Sequence, residues 1–148
     1  MKVLLQRVQS AKVTVSGQVC GSIDGGLLMF VGMTHEDNES IVSKIANKVS
    51  GLRIFEDELG KTNLSLDDVK GKVLSISQFT LYADCSKGKR PSFTAAANPE
   101  EANRLYEYFN NCLKSNGYEV ETGVFGAEMI VEIVNDGPFT IMIDSEEL

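Results

Sequence analysis

The stretch from Val73 to Phe93 combines the residue types that substrate chemistry requires. Ser77, Gln78 and Thr80 interrupt a run of aliphatic and aromatic residues that is typical of a mostly buried strand. Because a buried polar group costs free energy unless it is paired, this cluster needs either internal partners or a ligand. The segment Ser86 to Pro91 then carries the densest positive charge of the chain. A polar pocket beside a basic loop is suited to a substrate with a polar reacting centre and an anionic handle.

A second motif is N-D-G-P-F-T, from Asn135 to Thr140. Its simplest interpretation is a tight hairpin turn between two strands. Gly137 before Pro138 is nevertheless unusual in a plain hairpin, since glycine allows close approach of the backbone and proline fixes φ and removes a donor. The pair is therefore also suited to presenting rigid main-chain carbonyls to a ligand. From the residues alone we favour the hairpin turn, and the isomer of the Gly-Pro bond is open.

Two helices and a set of short strands are predicted to position these motifs. Asp37 or Asn38 caps a helix that runs to about Ser50, and Asn98 with Pro99 starts a second helix that ends before Gly117. Strands are predicted at Lys2–Val8, Ala11–Val15, Gln18–Ile23, Leu27–Val31, Leu52–Phe55, Val73–Tyr82, Glu119–Phe125, Met129–Val134 and Phe139–Ile143, with a loop or hairpin around Gly60. We therefore expect an α+β fold in which residues 1–148 form a single β-rich domain with a barrel-like sheet and two main helices.

Composition narrows the class of protein further. The net charge of −7 disfavours a general nucleic-acid binder, although a local basic patch can still grip one RNA end. Three cysteines without C-x-x-C spacing indicate reduced thiols in a cytosolic protein rather than a zinc site. No glycine-rich phosphate loop and no apolar run of membrane-spanning length occurs. We expect no cofactor, no metal and no membrane association.

The two motifs together resemble the D-aminoacyl-tRNA deacylases, of the D-tyrosyl-tRNA(Tyr) deacylase type. S-Q-F-T-L from Ser77 to Leu81 and N-D-G-P-F-T carry the resemblance, and M-K-V-L-L-Q-R-V at the N-terminus and R-P-S-F from Arg90 extend it over essentially the whole chain. The resemblance implies a cytosolic homodimer without a cofactor. It implies hydrolysis of the ester that joins a D-amino acid, or glycine mischarged on tRNA(Ala), to the terminal adenosine of tRNA.

The resemblance also implies roles for individual residues. Gly137 and Pro138 form a cis pair that one subunit inserts into the active site of the other, and the S-Q-F-T segment lines the pocket near the adenosine and the ester. A main-chain filter of this kind rejects L-aminoacyl groups by collision, because backbone cannot swing aside as a side chain can. Glycine, which lacks a side chain, is expected to pass such a filter.

The nucleophile is less clear from the residues. Thr80 is the obvious protein nucleophile, but a threonine hydroxyl needs a base, and nothing marks the only histidine, His35, for that role. We favour attack by water, assisted by the 2′-hydroxyl of the substrate ribose. Ser77, Gln78 and the N–H groups near Phe79 and Thr80 then position the ester and stabilise the oxyanion. Ordinary strand hydroxyls are the competing interpretation of Ser77 and Thr80.

Three further alternatives accompany this interpretation. Lys87, Lys89 and Arg90 are candidates for tRNA phosphate contacts, although a solvated basic loop explains them equally well. Cys85 is a candidate nucleophile for a thiol hydrolase, since Lys87 is close enough in sequence to favour a thiolate. A non-catalytic, dimeric RNA-binding module is also compatible with the chain length, although the negative charge disfavours it.

Overall fold

The fold is organised around its first strand, β1 (Lys2–Val15), in the computed structural model, which describes all 148 residues. Alternate side chains of β1 point into the protein, so that Val3, Leu5, Ala11 and Val13 are buried. The predicted separation into two strands is wrong. Irregularities in the pairing around Val8 and Ser10 let the strand continue through the polar Gln9 and Ser10 without losing its partner.

The other strands pair with the two edges of β1. On one edge, β2 (Gln18–Ile23) pairs with the second half of β1 and β3 (Gly26–Gly32) with the first half, both antiparallel. On the other edge, β8 (Ile130–Asp144) runs antiparallel along almost the whole of β1. Beyond β3 follow β6 (Lys72–Ser77) and β7 (Val120–Thr122), both parallel to their neighbours. The resulting six-stranded sheet is nearly closed and barrel-like, as predicted for a single α+β domain.

The two predicted helices are confirmed. In α1 (Glu39–Ser50) and α2 (Pro99–Ser115), the side chains of Asn38 and Asn98 accept N–H groups of the first turn, as N-caps do. The apolar faces of both helices pack on the larger of two hydrophobic clusters, between the helices and the sheet. Of the loop or hairpin predicted around Gly60, the structure has the hairpin, formed by β4 (Arg53–Glu56) and β5 (Thr62–Ser65). No helix is both long and apolar enough to cross a membrane.

Two predicted strands are shorter than expected. The central strand ends at Ser77 instead of Tyr82, because the chain turns into a 3-10 helix over Phe79–Tyr82, closed by bonds such as Leu81 N–H to the carbonyl of Gln78 at 3.3 Å. The strand predicted from Glu119 to Phe125 is observed only as β7. Its pairing with β6 stops at Ser75 and Thr122, and β6 itself ends at Ser77.

The N-D-G-P-F-T motif is not a hairpin turn. Asn135 pairs with Val8 and Thr140 pairs with Gln6, so β8 passes through the motif without reversing direction, and the four residues between them bulge outward. The amide of Asn135 closes this bulge by donating to the carbonyl of Arg7 at 2.8 Å and to that of Phe139 at 3.0 Å. We call residues 136–139 the β8 bulge. A turn motif within one continuous strand is the clearest error of the sequence prediction.

Candidate active site

A cavity of about 610 Å³ opens where the parallel strands β3 and β6 end side by side. The carboxyl ends of parallel strands are a common place for ligands in such sheets, because the connecting loops diverge there. Most of the 18 lining residues are apolar, and they come from the ends of β3 and β6, residues 93–99, the start of α2 and residues 125–131. The polar side chains that line the cavity are His35, Ser77, Gln78 and Asn98.

Three of the four predicted catalytic residues line this cavity. Ser77, Gln78 and Phe79 lie at the end of β6 and the start of the 3-10 helix, whereas Thr80 is exposed and is not among the lining residues. The Gln78 side chain donates from Nε2 to the Thr80 hydroxyl oxygen at 2.6 Å. This bond occupies the Thr80 oxygen with a donor and removes no proton from it. The geometry therefore supplies no base for a threonine nucleophile.

His35, the only histidine, lines the cavity but is engaged elsewhere. Its Nε2 atom lies 2.8 Å from the carbonyl oxygen of Thr94, which can only accept, so Nε2 carries a proton there. No other titratable side chain lines the cavity, and Cys85 is exposed outside it. No group of three or more His, Cys, Asp or Glu side chains is placed to hold a metal ion. His35 is thus the one titratable side chain that lines the cavity, and it is anchored to the carbonyl of Thr94, whereas the other polar lining side chains are neutral hydrogen-bonding groups.

One wall of the cavity was not predicted from the sequence. Residues 92–97, which we call the strap, run beside the loop that follows β3. Thr34 donates from its hydroxyl to the carbonyl of Ala95 at 2.6 Å, and Ala97 donates from its N–H to the carbonyl of Met33 at 3.0 Å. Phe93 at the beginning of the strap meets Phe79 edge-to-face, with 5.1 Å between ring centres. The strap thus brings an aromatic pair to the mouth of the cavity.

The opposite wall is supported from the helix side. Tyr106 of α2 donates from its hydroxyl to the carbonyl of Ser75 in β6 at 2.7 Å, and its ring lies 6.2 Å from that of Phe125, which lines the cavity. Burial raises the pKa of the Tyr106 phenol, so the hydroxyl remains a donor at neutral pH. This contact fixes the end of β6 relative to α2.

The β8 bulge is held from behind by a buried arginine that the sequence analysis did not single out. Arg7 is 5% exposed and donates from Nη1 to the carbonyl of Ile54 at 2.8 Å and from Nε to that of Asp136 at 3.3 Å. Its guanidinium also lies over the ring of Phe139, 4.9 Å from the ring centre. The only feature of the sequence that could have drawn attention to Arg7 was its place within M-K-V-L-L-Q-R-V, because a lone arginine in a strand predicts no role by itself.

Gly137 needs the conformation that only glycine adopts readily. Its φ is +126°, and a Cβ atom there would lie 3.0 Å from Nη2 of Arg7 and 3.1 Å from the Phe139 nitrogen. The Gly137–Pro138 bond is cis, and both residues are exposed. The bulge therefore presents main chain and a proline ring to solvent while its inner side is fixed by Arg7.

The two predicted parts of the site do not meet within one protomer. Neither Gly137 nor Pro138 lines the cavity. Arg7 pairs with Leu27 at the start of β3, whereas Val31, near the end of β3, lines the cavity. Four residues of strand, or about 13 Å, separate those two pairing positions.

The basic residues occupy the tip of a small loop that leads into the strap. Asp84 and Ser92 close the loop with reciprocal backbone hydrogen bonds of 2.8 and 2.9 Å. Lys87, Lys89 and Arg90 are exposed, and none has a carboxylate within 4.0 Å. Hydrogen bonds from Ser86 hold the pKa of the Asp84 carboxyl below its usual value. The basic tip is thus free to contact an anion and is joined by a short stretch of chain to the cavity mouth.

Comparison with known proteins finds one family over nearly the whole chain. The family model described as D-Tyr-tRNA(Tyr) deacylase matches residues 4–144. Proteins named D-aminoacyl-tRNA deacylase are 56% identical in Brevibacillus brevis, over 98% of this chain and 100% of that protein, and 56% identical in Thermus aquaticus, over 99% and 97%. In Exiguobacterium sp. a protein of the same name is 58% identical over 97% of this chain and 98% of its own.

Two solved structures are similar in fold. One, described as c-Myc DNA unwinding element binding protein, superposes with a TM-score of 0.92 at 38% identity and covers 97% of this chain and 98% of its own. The other, described as a probable eukaryotic D-amino acid tRNA deacylase, has a TM-score of 0.84 over 96% and 97% of the two chains. At 16% identity, this second similarity concerns the fold alone.

Proposed function

The chain belongs to the D-Tyr-tRNA(Tyr) deacylase family and is a hydrolase of aminoacyl-tRNA ester bonds, and we propose that it separates mirror-image substrates with main chain instead of side chains. The observation that carries the proposal is the β8 bulge, a main-chain projection fixed by Arg7. In this proposal the cavity receives the terminal adenosine and the ester. The β8 bulge limits the directions in which the aminoacyl side chain can point.

A fixed main chain suits chiral selection for a simple reason. When the amino group and the ester of the substrate are both held, inversion at the α-carbon exchanges the positions of hydrogen and side chain. Gly137 is closely backed by Arg7, since even an added Cβ atom would lie only 3.0 Å from its Nη2 atom. An L side chain that meets this backbone therefore collides, whereas a D side chain points away and glycine has nothing to collide. We accordingly include glycyl-tRNA, mischarged on tRNA(Ala), among the substrates.

The proposal requires a second protomer, because the bulge and the cavity lie apart in one chain. The outer edge of β8 has no strand partner, and Ile130, Val134 and Met142 on this strand are 68, 50 and 46% exposed. A long edge strand with exposed apolar side chains is typical of a surface that another chain covers. Two copies that associate through this surface can each present the bulge to the cavity of the other, so the active form is a homodimer.

For the chemical step we propose attack by water, assisted by the 2′-hydroxyl of the terminal ribose. The Thr80 hydroxyl already accepts from Gln78, and His35, the one titratable side chain that lines the cavity, is hydrogen-bonded to the carbonyl of Thr94 and not to Thr80. The first N–H groups of a 3-10 helix have no acceptor within the helix, so those of Phe79 and Thr80 are suited to stabilising the tetrahedral oxyanion. Ser77 and Gln78 position the ester, and Thr80 acts through Gln78.

The proposed substrate handle is the tRNA acceptor end. Lys87, Lys89 and Arg90 contact its phosphates in this proposal, because they are exposed, unpaired and directly followed by the strap. Local basic contacts of this kind are compatible with the net charge of −7. Aminoacyl-tRNA is a cytoplasmic substrate, and we place the protein in that compartment.

The first experiment compares release of amino acid from D-aminoacyl-, L-aminoacyl- and glycyl-tRNA. We expect the D and glycyl esters to be hydrolysed and the L ester to persist, since only the L side chain meets the bulge. Equal hydrolysis of both enantiomers would exclude a main-chain chiral filter. Binding of all three without hydrolysis would instead support the non-catalytic RNA-binding module.

A mixed-dimer experiment tests whether the bulge acts on the partner's cavity. A Gln78→Ala chain and a Gly137→Ala chain, tagged differently, are co-expressed and the heterodimer is isolated. If the bulge acts across the interface, one of the two sites combines both changes and the other combines neither. The heterodimer then recovers about half of the wild-type activity with full preference for D substrates. If the bulge acts within its own chain, the site with the intact cavity carries the Gly137→Ala bulge, so about half of the activity remains but the preference for D substrates is lowered.

A further inference from the structure

The amino terminus is built into the interior of the protein. The Met1 side chain is fully buried, and its α-ammonium group lies 2.6 Å from Oδ1 of Asp37 and 2.7 Å from Oγ of Ser145. The side chain of Asp37 is 1% exposed, so both charges of this ion pair are removed from water. A buried charge is tolerated only when it is paired and hydrogen-bonded, and each member of the pair therefore depends on the other.

Asp37 connects this ion pair to the cavity wall. Its second oxygen, Oδ2, accepts the N–H of Thr34 at 2.7 Å. The Thr34 hydroxyl in turn donates to the carbonyl of Ala95 in the strap, and a backbone bridge joins Thr34 to Ala96. A continuous series of hydrogen bonds thus runs from the α-amino group through Asp37 and Thr34 to the strap.

We propose that Asp37 is a positioning residue that couples the free α-amino group of Met1 to the strap, so that an acyl group on that nitrogen loosens the cavity wall. The inference extends the proposed function, because the affected wall is that of the deacylase cavity.

The effect of acylation follows from the chemistry of the nitrogen. An ammonium group carries a positive charge and three donors, whereas an N-acyl amide is neutral and has a single N–H. Amide formation therefore removes the positive charge that pairs with Asp37. The single remaining N–H can donate to only one of the two acceptors, Asp37 or Ser145. The added carbonyl also needs space where Met1 has no solvent exposure. The Asp37 carboxylate must then turn toward water, and Thr34 loses its acceptor.

The test compares the protein carrying free Met1 with the N-formyl protein, prepared under deformylase inhibition and verified by intact mass. The first measurement is amide hydrogen exchange of Ala96 and Ala97 in the strap, which requires no activity. We expect about tenfold faster exchange in the formyl protein. The second is deacylation of D-aminoacyl-tRNA, for which we expect kcat/KM to fall about tenfold, mainly through KM, as the cavity wall loosens. Unchanged exchange and unchanged kinetics would overturn the inference.

Two variants separate positioning from mere stability. Asp37→Asn keeps the shape of the side chain but cannot accept from both Met1 and Thr34, so it should reproduce the fast strap exchange and the raised KM. Ser145→Ala removes the other contact of the α-amino group and leaves the Asp37–Thr34 bond in place. It should lower Tm while strap exchange and kcat/KM stay within about twofold of wild type.

Other outcomes are equally decisive. Equal effects of Asp37→Asn and Ser145→Ala on strap exchange would overturn the inference. Failure of both the formyl protein and Asp37→Asn to fold would also overturn it, because the ion pair of Met1 and Asp37 would then serve folding alone. If the wild-type protein shows no deacylase activity but its formyl form still exchanges the strap amides faster, the coupling is supported and the deacylase proposal is contradicted. The two failures are therefore distinguishable.

Discussion

The cavity beside β6 and the β8 bulge differ in how firmly their polar groups are held in place. The cavity is apolar and roomy, and polar side chains that line it bond to groups outside the lining, as Gln78 does to Thr80 and His35 to the carbonyl of Thr94. The β8 bulge is instead fixed by a buried arginine, a side-chain amide and an aromatic ring. One region can adapt to a ligand, whereas the other is built to stay where it is.

This difference indicates a division of labour between the two regions. Groups that stabilise a developing charge must be near the reacting atoms, which the end of β6 provides. A group that excludes the wrong enantiomer must resist displacement, which a side chain in an open cavity does poorly. Changes in the cavity should therefore affect rate, and changes in the β8 bulge should affect selectivity.

The largest expected effect comes from the substrate, not the protein. Removing the 2′-hydroxyl of the terminal adenosine should lower the rate of deacylation by about 10³-fold, because in the proposed mechanism this hydroxyl assists the attacking water. Thr80→Ala should retain activity within about tenfold of wild type, since it removes one neutral hydrogen bond to Gln78. Single-turnover rates with matched ribo and 2′-deoxy substrates measure both. Complete loss in a folded Thr80→Ala protein would establish the threonine-nucleophile mechanism instead.

The second prediction concerns the β8 bulge. Gly137→Ala should lower the ratio of D to L hydrolysis by about 10- to 100-fold, because the new Cβ atom lies against Arg7 and displaces the main chain. The D rate should fall much less. Measuring kcat/KM for both enantiomers provides the ratio.

Gly60→Ala is the matched control for this change. Gly60 also has a positive φ, +71°, but a Cβ atom there has no neighbour within 4 Å. It therefore adds a methyl group at a positive φ without touching the bulge, and its D-to-L ratio should equal that of wild type. If Gly137→Ala lowers kcat/KM for the D substrate by as large a factor as it lowers the D-to-L ratio, the division between rate and selectivity is contradicted.

These regions also show how far the sequence could be interpreted. Both helices were predictable because their caps, Asn38 and Asn98, act within four residues of chain. The site residues at the end of β6 were predictable because polar side chains in an apolar strand are costly. The continuity of β8 was not, since whether N-D-G-P turns the chain depends on Val8 and Gln6, more than a hundred residues away. The role of Arg7 was hidden for the same reason.

The third prediction adds the basic loop to the comparison. Neutralising Lys87, Lys89 and Arg90 with glutamine should weaken tRNA binding and reduce the slope of log K against log[salt] by about 2, as expected for three lost contacts to single-stranded phosphates. The D-to-L ratio should remain unchanged, because the β8 bulge is untouched. Binding isotherms at several salt concentrations measure the slope.

A variant with the same change in charge at other positions controls for net charge. Lys48, Lys61 and Lys114 are exposed and do not line the cavity. Their replacement by glutamine should leave the salt dependence close to that of wild type. An equal reduction of the slope in both variants would place the tRNA contact outside the basic loop.

The smallest effect is expected at the outer end of the cavity wall, where Arg104 joins Glu101 at 2.7 Å and Glu39 at 2.6 Å. The hydrogen bond from Arg104 lowers the pKa of Glu101 below its usual 4.5, so this interaction stabilises the folded protein above that pH and is lost as the pH falls through the folded value. Arg104→Gln should therefore lower Tm by only about 1–2 °C at pH 7, because all three groups are exposed. The difference from wild type should vanish below the folded pKa of Glu101, as thermal unfolding at a series of pH values would show. A change in the D-to-L ratio would contradict the expectation that the helix end supports the cavity wall without affecting the β8 bulge.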